Sequence, residues 1–153
     1  MTEHKDIWVF SEKTPLQAEL IACAKSMAAN TGGSVAAVIL GPRQAVEQAF
    51  EMGAERIIWL GELPAGRIVE DGVPTLVSAV QNSQPYGILI GATTRGRAVA
   101  GRLSARLGSA ALTDVLEFQF TDGLLQAKHM VFGGGAVRID RPNIGPIVAT
   151  FGP

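Results

Sequence analysis

Cysteine occurs once in 153 residues, so no internal disulfide can staple a secreted fold, and Cys23, set in an alanine-rich helical segment, reads as a small buried thiol. That usage predicts a reducing, cytoplasmic setting. Charge is scarce as well: charged residues make up 18% of the chain and sum to −1. Acidic and basic side chains are mixed along its length, so there is no basic footprint for a phosphate backbone and nucleic acid is not an expected partner. No apolar run approaches the roughly 18 residues of a membrane span, and the opening MTEHKDIWVF holds no apolar leader core, so no membrane insertion is expected. Patterns that carry chemistry are missing too. His4 stands in the polar start and His129 in an expected strand, neither with a carboxylate or cysteine at metal-ligand spacing. Without a Gly-x-Ser-x-Gly elbow or a recognisable nucleophile-base pair, a hydrolase or transferase has little to stand on.

What is present is apolar. Hydrophobic residues reach 47%, and a single domain of this length buries about 68–70% of its extended-chain surface. A surface so sparsely charged implies a partner-facing patch. Along the chain, Ile7-Trp8-Val9-Phe10 is a short strand, and Thr14-Pro15-Leu16-Gln17 predicts a capped helix start with proline in its first turn. The helix keeps Leu16, Leu20, Ala24, Met27 and Ala28 on one face until Gly32-Gly33 stops it. Ser34 to Leu40 is a second strand, followed at Gly41-Pro42 by a short helix with Val46, Ala49, Phe50 and Met52. Ile57 to Leu60 is a third strand, Gly61 to Gly66 an irregular connection, and Pro74 opens the next helix.

The stretch Pro85–Leu107 is the organising one. Ile88-Leu89-Ile90 shows no alternation, as expected of a parallel strand covered on both faces. Gly91 closes it, and Thr93-Thr94-Arg95-Gly96-Arg97 turns into a helix with Val99, Leu103 and Leu107 four apart. Such a loop brings backbone N–H groups and two guanidinium charges to a strand end, which suits a phosphate or carboxylate. It matches neither the dinucleotide fingerprint nor the phosphate-loop lysine pattern, so turn and cap chemistry alone also accounts for it. Arg102 and Arg106, one helical turn apart, read as a solvated or subunit-facing stripe.

The β-α alternation predicts a three-layer α/β/α fold with a mostly parallel, Rossmann-like sheet. After Leu107 the pattern becomes β-rich: Ala111 to Val115 adds a strand, and Phe118–Phe120 and Gln126–Val131 flank Thr121-Asp122-Gly123 as a hairpin. Gly133-Gly134-Gly135 allows a tight backbone path or a close approach to a ligand or second subunit. Arg138 to Asn143 reads as a polar turn and Ile147 to Phe151 as the last strand. Trp8 and Trp59 are both expected in buried strands. Asp114 and Glu117 are expected to pair with nearby arginines such as Arg102 or Arg106.

Several of these stretches together resemble a known family. Ile7–Phe10, Gly53-Ala54-Glu55-Arg56-Ile57-Ile58, GATTRGRAVAGRLSARL with Leu112-Thr113-Asp114 beyond it, and Phe132–Arg138 are similar to the N-terminal domain of electron transfer flavoprotein α-subunits of the FixB type. The most specific part is Gly91 to Asp114, matching a G-A-[ST]-x-x-G-[RK] loop, an R-[LV]-[AS]-x-[RK]-L helix and a downstream Asp. The resemblance implies an adenine nucleotide alpha hydrolase-like fold over residues 1–153 that docks the homologous domain of a β-subunit, with Arg102, Arg106, Gly133, Gly134 and Gly135 as interface candidates. It also implies that FAD is bound by a further C-terminal domain, absent from a chain that stops at Pro153, and that AMP, where held, belongs chiefly to the β-subunit. No cofactor residue is therefore expected here. Dehydrogenases of fatty-acid, acyl-CoA or carnitine-type metabolism and quinone-reductase-type proteins are the implied redox partners, in bacteria. The alternative is a stand-alone adenine-nucleotide-binding module of universal-stress type, holding its phosphate on Thr93–Arg97.

Overall fold

The computed structural model describes residues 4–143 and 145–152. Thr2 and Glu3 of the polar start, and the terminal Pro153, therefore lie outside the described residues.

The N-terminal part builds the expected alternation: β1 (Ile7–Phe10), α1 (Thr14–Thr31), β2 (Val35–Ile39), α2 (Arg43–Glu51), β3 (Arg56–Trp59), α3 (Val73–Ser83), β4 (Gly87–Gly91) and α4 (Thr94–Leu107). After it come β5 (Ala111–Thr121), β6 (Leu124–Val131), β7 (Ala136–Asp140) and β8 (Ile147–Phe151). All eight strands form one sheet in the order β3-β2-β1-β4-β8-β5-β6-β7. From β3 to β5 every pairing is parallel; β5-β6 and β6-β7 are antiparallel.

Helices cover both faces, which is why the inner strands are apolar throughout. On one face Ile7 and Val9 pack with Leu20, Ile21 and Ala24 of α1 and Ala49 of α2. On the other, Trp8 and Phe10 pack with Leu76 and Val80 of α3 and Val99 and Leu103 of α4. Burying each such leucine or valine contributes about 1.5–3 kcal/mol before the cost of ordering it. Among the described residues no helix is long and apolar enough to cross a membrane.

Local signals mostly act as expected. Gly32 ends α1 in the left-handed region at φ 74° and donates its N–H to Ala28 O. Asp122 and Gly123, at φ 54° and 75°, form the two-residue turn between β5 and β6, the geometry that matches strand twist.

Four expectations are corrected. Thr14 is not the cap of α1: the cap position is Lys13, without a side-chain bond, and Pro15 lies inside the first turn. The Ser11 hydroxyl accepts the Lys13 N–H at 3.1 Å instead, so a serine two residues upstream steadies the entry. Trp59 is not in the core but 47% exposed, because β3 is the sheet edge; its indole N–H donates to Gly41 O at 2.9 Å. Ala111–Val115 and Phe118–Phe120 are one continuous strand. Part of the segment from Arg138 to Asn143 is strand β7, in which Val137 and Ile139 alternate with Arg138 and Asp140.

β5 is long because it bends. Its register to β8 shifts between Leu112 and Val115, and Asp114 sits there at φ 52°, a bulge that re-aims the strand. Beyond it Phe118 lies with its ring centroid 5.9 Å from that of Phe151, and Phe120 lies 6.3 Å from Tyr86. Phe151 ends β8 and Tyr86 precedes β4, so the distal half of β5 runs back over the face that α1 covers.

Candidate functional site

The end of β4 meets the start of α4 with no space between them. A Cβ on Gly96 would lie 1.8 Å from Gly91 O, and one on Gly91 would lie 2.6 Å from Leu16 Cδ2. Gly96 thus lets α4 touch the end of β4 backbone to backbone, while Gly91 leaves room for the Leu16 side chain of α1. Thr93 caps the helix: its Oγ1 accepts the Gly96 N–H at 2.8 Å and donates to Glu12 Oε1 at 2.6 Å. The Thr93 hydroxyl therefore ties α4 to the segment after β1.

Both loop arginines are engaged. Arg95 Nη1 donates to Glu70 Oε2 at 2.9 Å, and Glu70 is 9% exposed. Arg97 reaches Asp114 Oδ1 through Nε at 3.0 Å and Nη2 at 2.9 Å. Glu70 belongs to a 3-10 turn, Val69–Gly72, that leads into α3. Asp114 is the bulge residue of β5, with its N–H donated to Thr150 Oγ1 at 2.8 Å. The Glu70 carboxyl is held below its ordinary range, first by a backbone N–H of its own residue and then by Arg95, against the opposing effect of burial, with the Arg102 charge a smaller contribution. Around this loop three carboxylates, Glu12, Glu70 and Asp114, stand against the two guanidiniums. The charge that would attract a phosphate is balanced from within.

The expected residues are only partly brought together. Thr93, Thr94, Arg95, Gly96 and Arg97 form this clasp, and Arg102 and Arg106 continue exposed along the same helix. Gly133, Gly134 and Gly135 lie in the turn between β6 and β7, which no hydrogen bond or ion pair links to the clasp among the described residues. Asp114 pairs with an arginine as expected, though with neither of the two named, and Glu117 does not. Asp114 takes Arg97, and Glu117 takes Lys128 across the β5-β6 ladder at 3.0 Å; neither takes Arg102 or Arg106. Register decides this, since Glu117 and Lys128 are directly opposite. Glu12 and Glu70 escaped the sequence reading because a lone glutamate carries no signal of a partner more than twenty residues away.

A second polar cluster is buried in the hairpin. His129, 3% exposed, has Nδ1 2.7 Å from Thr113 O and Nε2 3.0 Å from Asp140 Oδ2, the latter contact lying off a hydrogen-bond axis. Arg138 donates to the same Asp140 oxygen from Nε at 3.0 Å. Among the described residues no group of histidines, cysteines and carboxylates is arranged to hold a metal ion.

Sheet order, helices on both faces and a glycine-threonine clasp at the end of β4 define a Rossmann-like α/β/α domain extended by an antiparallel hairpin. Residues 7–153 match the model of the electron transfer flavoprotein domain, and the chain belongs to that family, as an α-subunit N-terminal domain. It is 30% identical over 138 residues to the protein FixB of Salmonella typhimurium strain LT2, covering 90% of this chain and 42% of that one. It is 28% identical over 153 residues to the putative electron transfer flavoprotein subunit YdiR of Escherichia coli K12, covering 100% of this chain and 47% of that one. The chain spans less than half the length of the curated relatives it matches.

Proposed function

We propose that this chain is a non-catalytic assembly domain of an electron transfer flavoprotein α-subunit that docks a β-subunit, the FAD of the heterodimer being held by residues outside it. The observation that carries this reading is the outward face of the hairpin. Met130 and Val137 are opposite each other on adjacent strands, with Ile139 and Leu124 on the same side, and they are 55%, 61%, 52% and 60% exposed. Phe132 at the turn is 90% exposed, and β7 is the sheet edge, with one row of backbone groups unpaired. Met130, Val137 and Ile139, neighbours across the β6-β7 ladder, form an exposed apolar cluster, and such a cluster on a sparsely charged domain marks an interaction site. Gly133, Gly134 and Gly135 let the turn beside it lie close to a second backbone, while Arg102 and Arg106 stand on α4 as a separate interface candidate. The rival reading, a universal-stress-type nucleotide module, is less favoured because Arg95 and Arg97 are already neutralised by Glu70 and Asp114.

Within the carrier, electrons arrive from dehydrogenases of fatty-acid, acyl-CoA or carnitine-type metabolism and leave for a quinone-reductase-type acceptor, and this domain positions the subunits rather than the flavin. Met130→Glu combined with Val137→Lys places an opposite-sign pair on the apolar face at exposed, directly opposed positions, so the domain keeps its melting temperature. Analytical ultracentrifugation with the β-subunit is expected to show loss of the heterodimer, and Arg102→Glu or Arg106→Glu a weaker one. Undiminished assembly by the double variant would refute the docking role.

A further inference from the structure

The two edges of the sheet offer different chemistry to an incoming strand. At one edge β3 carries a single charge, Arg56, already bonded to Asp6. At the other, β7 runs from Ala136 to Asp140 without a proline or a bulge, the devices that ordinarily keep an open edge from recruiting another strand. Its two charges, Arg138 and Asp140, have opposite signs and share one face, while Val137 and Ile139 are exposed on the other. An edge with one sign of charge repels a copy of itself; this one does the reverse.

When two identical strands pair antiparallel about a two-fold axis, the axis position decides which side chains meet. With the axis at Ile139, Arg138 of each copy stands opposite Asp140 of the other. Ile139 then meets Ile139, and Val137 meets Arg141, whose apolar stem covers it. An axis one residue earlier would set Arg138 against Arg138, and one residue later Asp140 against Asp140. Directly opposed unlike charges stabilise a ladder and like charges destabilise it, so the sequence of β7 selects the axis at Ile139. The carboxylate has capacity to spare. Asp140 meets Arg138 Nε at 3.0 Å, Arg138 Nη2 at 2.8 Å and His129 Nε2 at 3.0 Å, and among the described residues these contacts all fall on Oδ2. That leaves Oδ1 for a cation from outside the chain.

We propose that two copies of the free chain pair antiparallel through β7 about a two-fold axis at Ile139, with Arg138 of each opposite Asp140 of the other. Four charges then alternate in sign around the axis, and the apolar cluster of Met130, Val137 and Ile139 continues from one copy to the next. The pairing does not rest on the docking of a β-subunit. A ladder from Val137 to Arg141 is short, so the dimer dissociates on dilution and gives the edge up to a larger interface.

Sedimentation of the chain alone at rising concentration is expected to show a monomer-dimer equilibrium. Arg138→Asp and Asp140→Arg should each weaken it at least about tenfold by opposing like charges. An equimolar mixture of the two variants should recover the dimer, since one then carries two acids and the other two bases. Should either variant fail to fold, cysteine at exposed positions reads the register instead. With oxidised glutathione as oxidant, Ile139→Cys is expected to form a disulfide-linked dimer. Val137→Cys is not, because its two copies lie about 13 Å apart along the strands, beyond the roughly 7 Å that a disulfide spans. Burial pushes the Cys23 thiol up to about 11, which keeps the native cysteine out of the exchange. A chain that stays monomeric at its highest soluble concentration would overturn the proposal. So would a mixture that fails to recover the dimer, or Val137→Cys linking as readily as Ile139→Cys.

Discussion

Adding one methyl group at two places on α4 should change stability in opposite directions. Gly101 lies on the exposed side of the helix with nothing within 4 Å of an added Cβ. Gly101→Ala therefore removes only the entropic penalty of a helical glycine and is expected to stabilise the chain by about 0.5–1 kcal/mol. Gly96 is in the first turn of the same helix, where the Cβ would sit 1.8 Å from the Gly91 carbonyl oxygen. That neighbour is backbone of the central strand and cannot rotate away. The same helix-propensity gain is outweighed by overpacking, which costs about 1–3 kcal/mol in ordinary cores and more where backbone must move. We expect a net loss of about 2 kcal/mol or more, a fall of about 4–8 °C in melting temperature for a domain of this size. Separating helix from strand end also lengthens the Thr93 hydrogen bonds to Gly96 and Glu12. Urea and thermal unfolding of both variants measure the contrast. If Gly96→Ala were as stable as Gly101→Ala, the backbone contact between β4 and α4 would not be the constraint described here.

Two further outcomes follow from individual side chains. The carboxyl pKa of Glu70 is lowered from its ordinary 4.5, so its contribution is fully present above the unfolded value and is lost as pH falls through the folded one. Glu70→Gln should flatten the acid limb of stability measured by urea unfolding from neutral pH downward, and an unchanged limb would contradict the role of its backbone N–H and Arg95. Trp8 is 2% and Trp59 47% exposed, so Trp59→Phe should leave an emission shifted to the blue and shielded from iodide; quenching equal to that of the parent chain would contradict the edge position of β3.

The parallel half of the fold was legible because its signals are local and redundant. Ile88-Leu89-Ile90 is continuous where both faces are covered, and Gly32 and Gly108 stop helices by adopting a conformation other residues resist. The Asp122-Gly123 turn announced its hairpin for the same reason. What was misread depends on position in the sheet, which a short window does not contain. Trp59 has the composition of a core strand but sits on the outermost one. The alternation of Val137, Arg138, Ile139 and Asp140 is strand-like, yet it follows a glycine turn and leads into a polar stretch that masks it. The clasp was located from Thr93 to Arg97, but its chemistry was not, because the partners of the two arginines come from a 3-10 turn and a bulge. Glu70 does not differ in sequence from an ordinary surface carboxylate, and Asp114, though expected to meet an arginine, carries no sign of which one.

Hydrogen–deuterium exchange of the chain alone and bound to the β-subunit tests the assembly reading most directly. The account predicts protection concentrated in Leu124–Asp140, with the amides of Thr93–Arg97 unchanged. Protection confined to Thr93–Arg97, with the hairpin exchanging as it does in isolation, would contradict it.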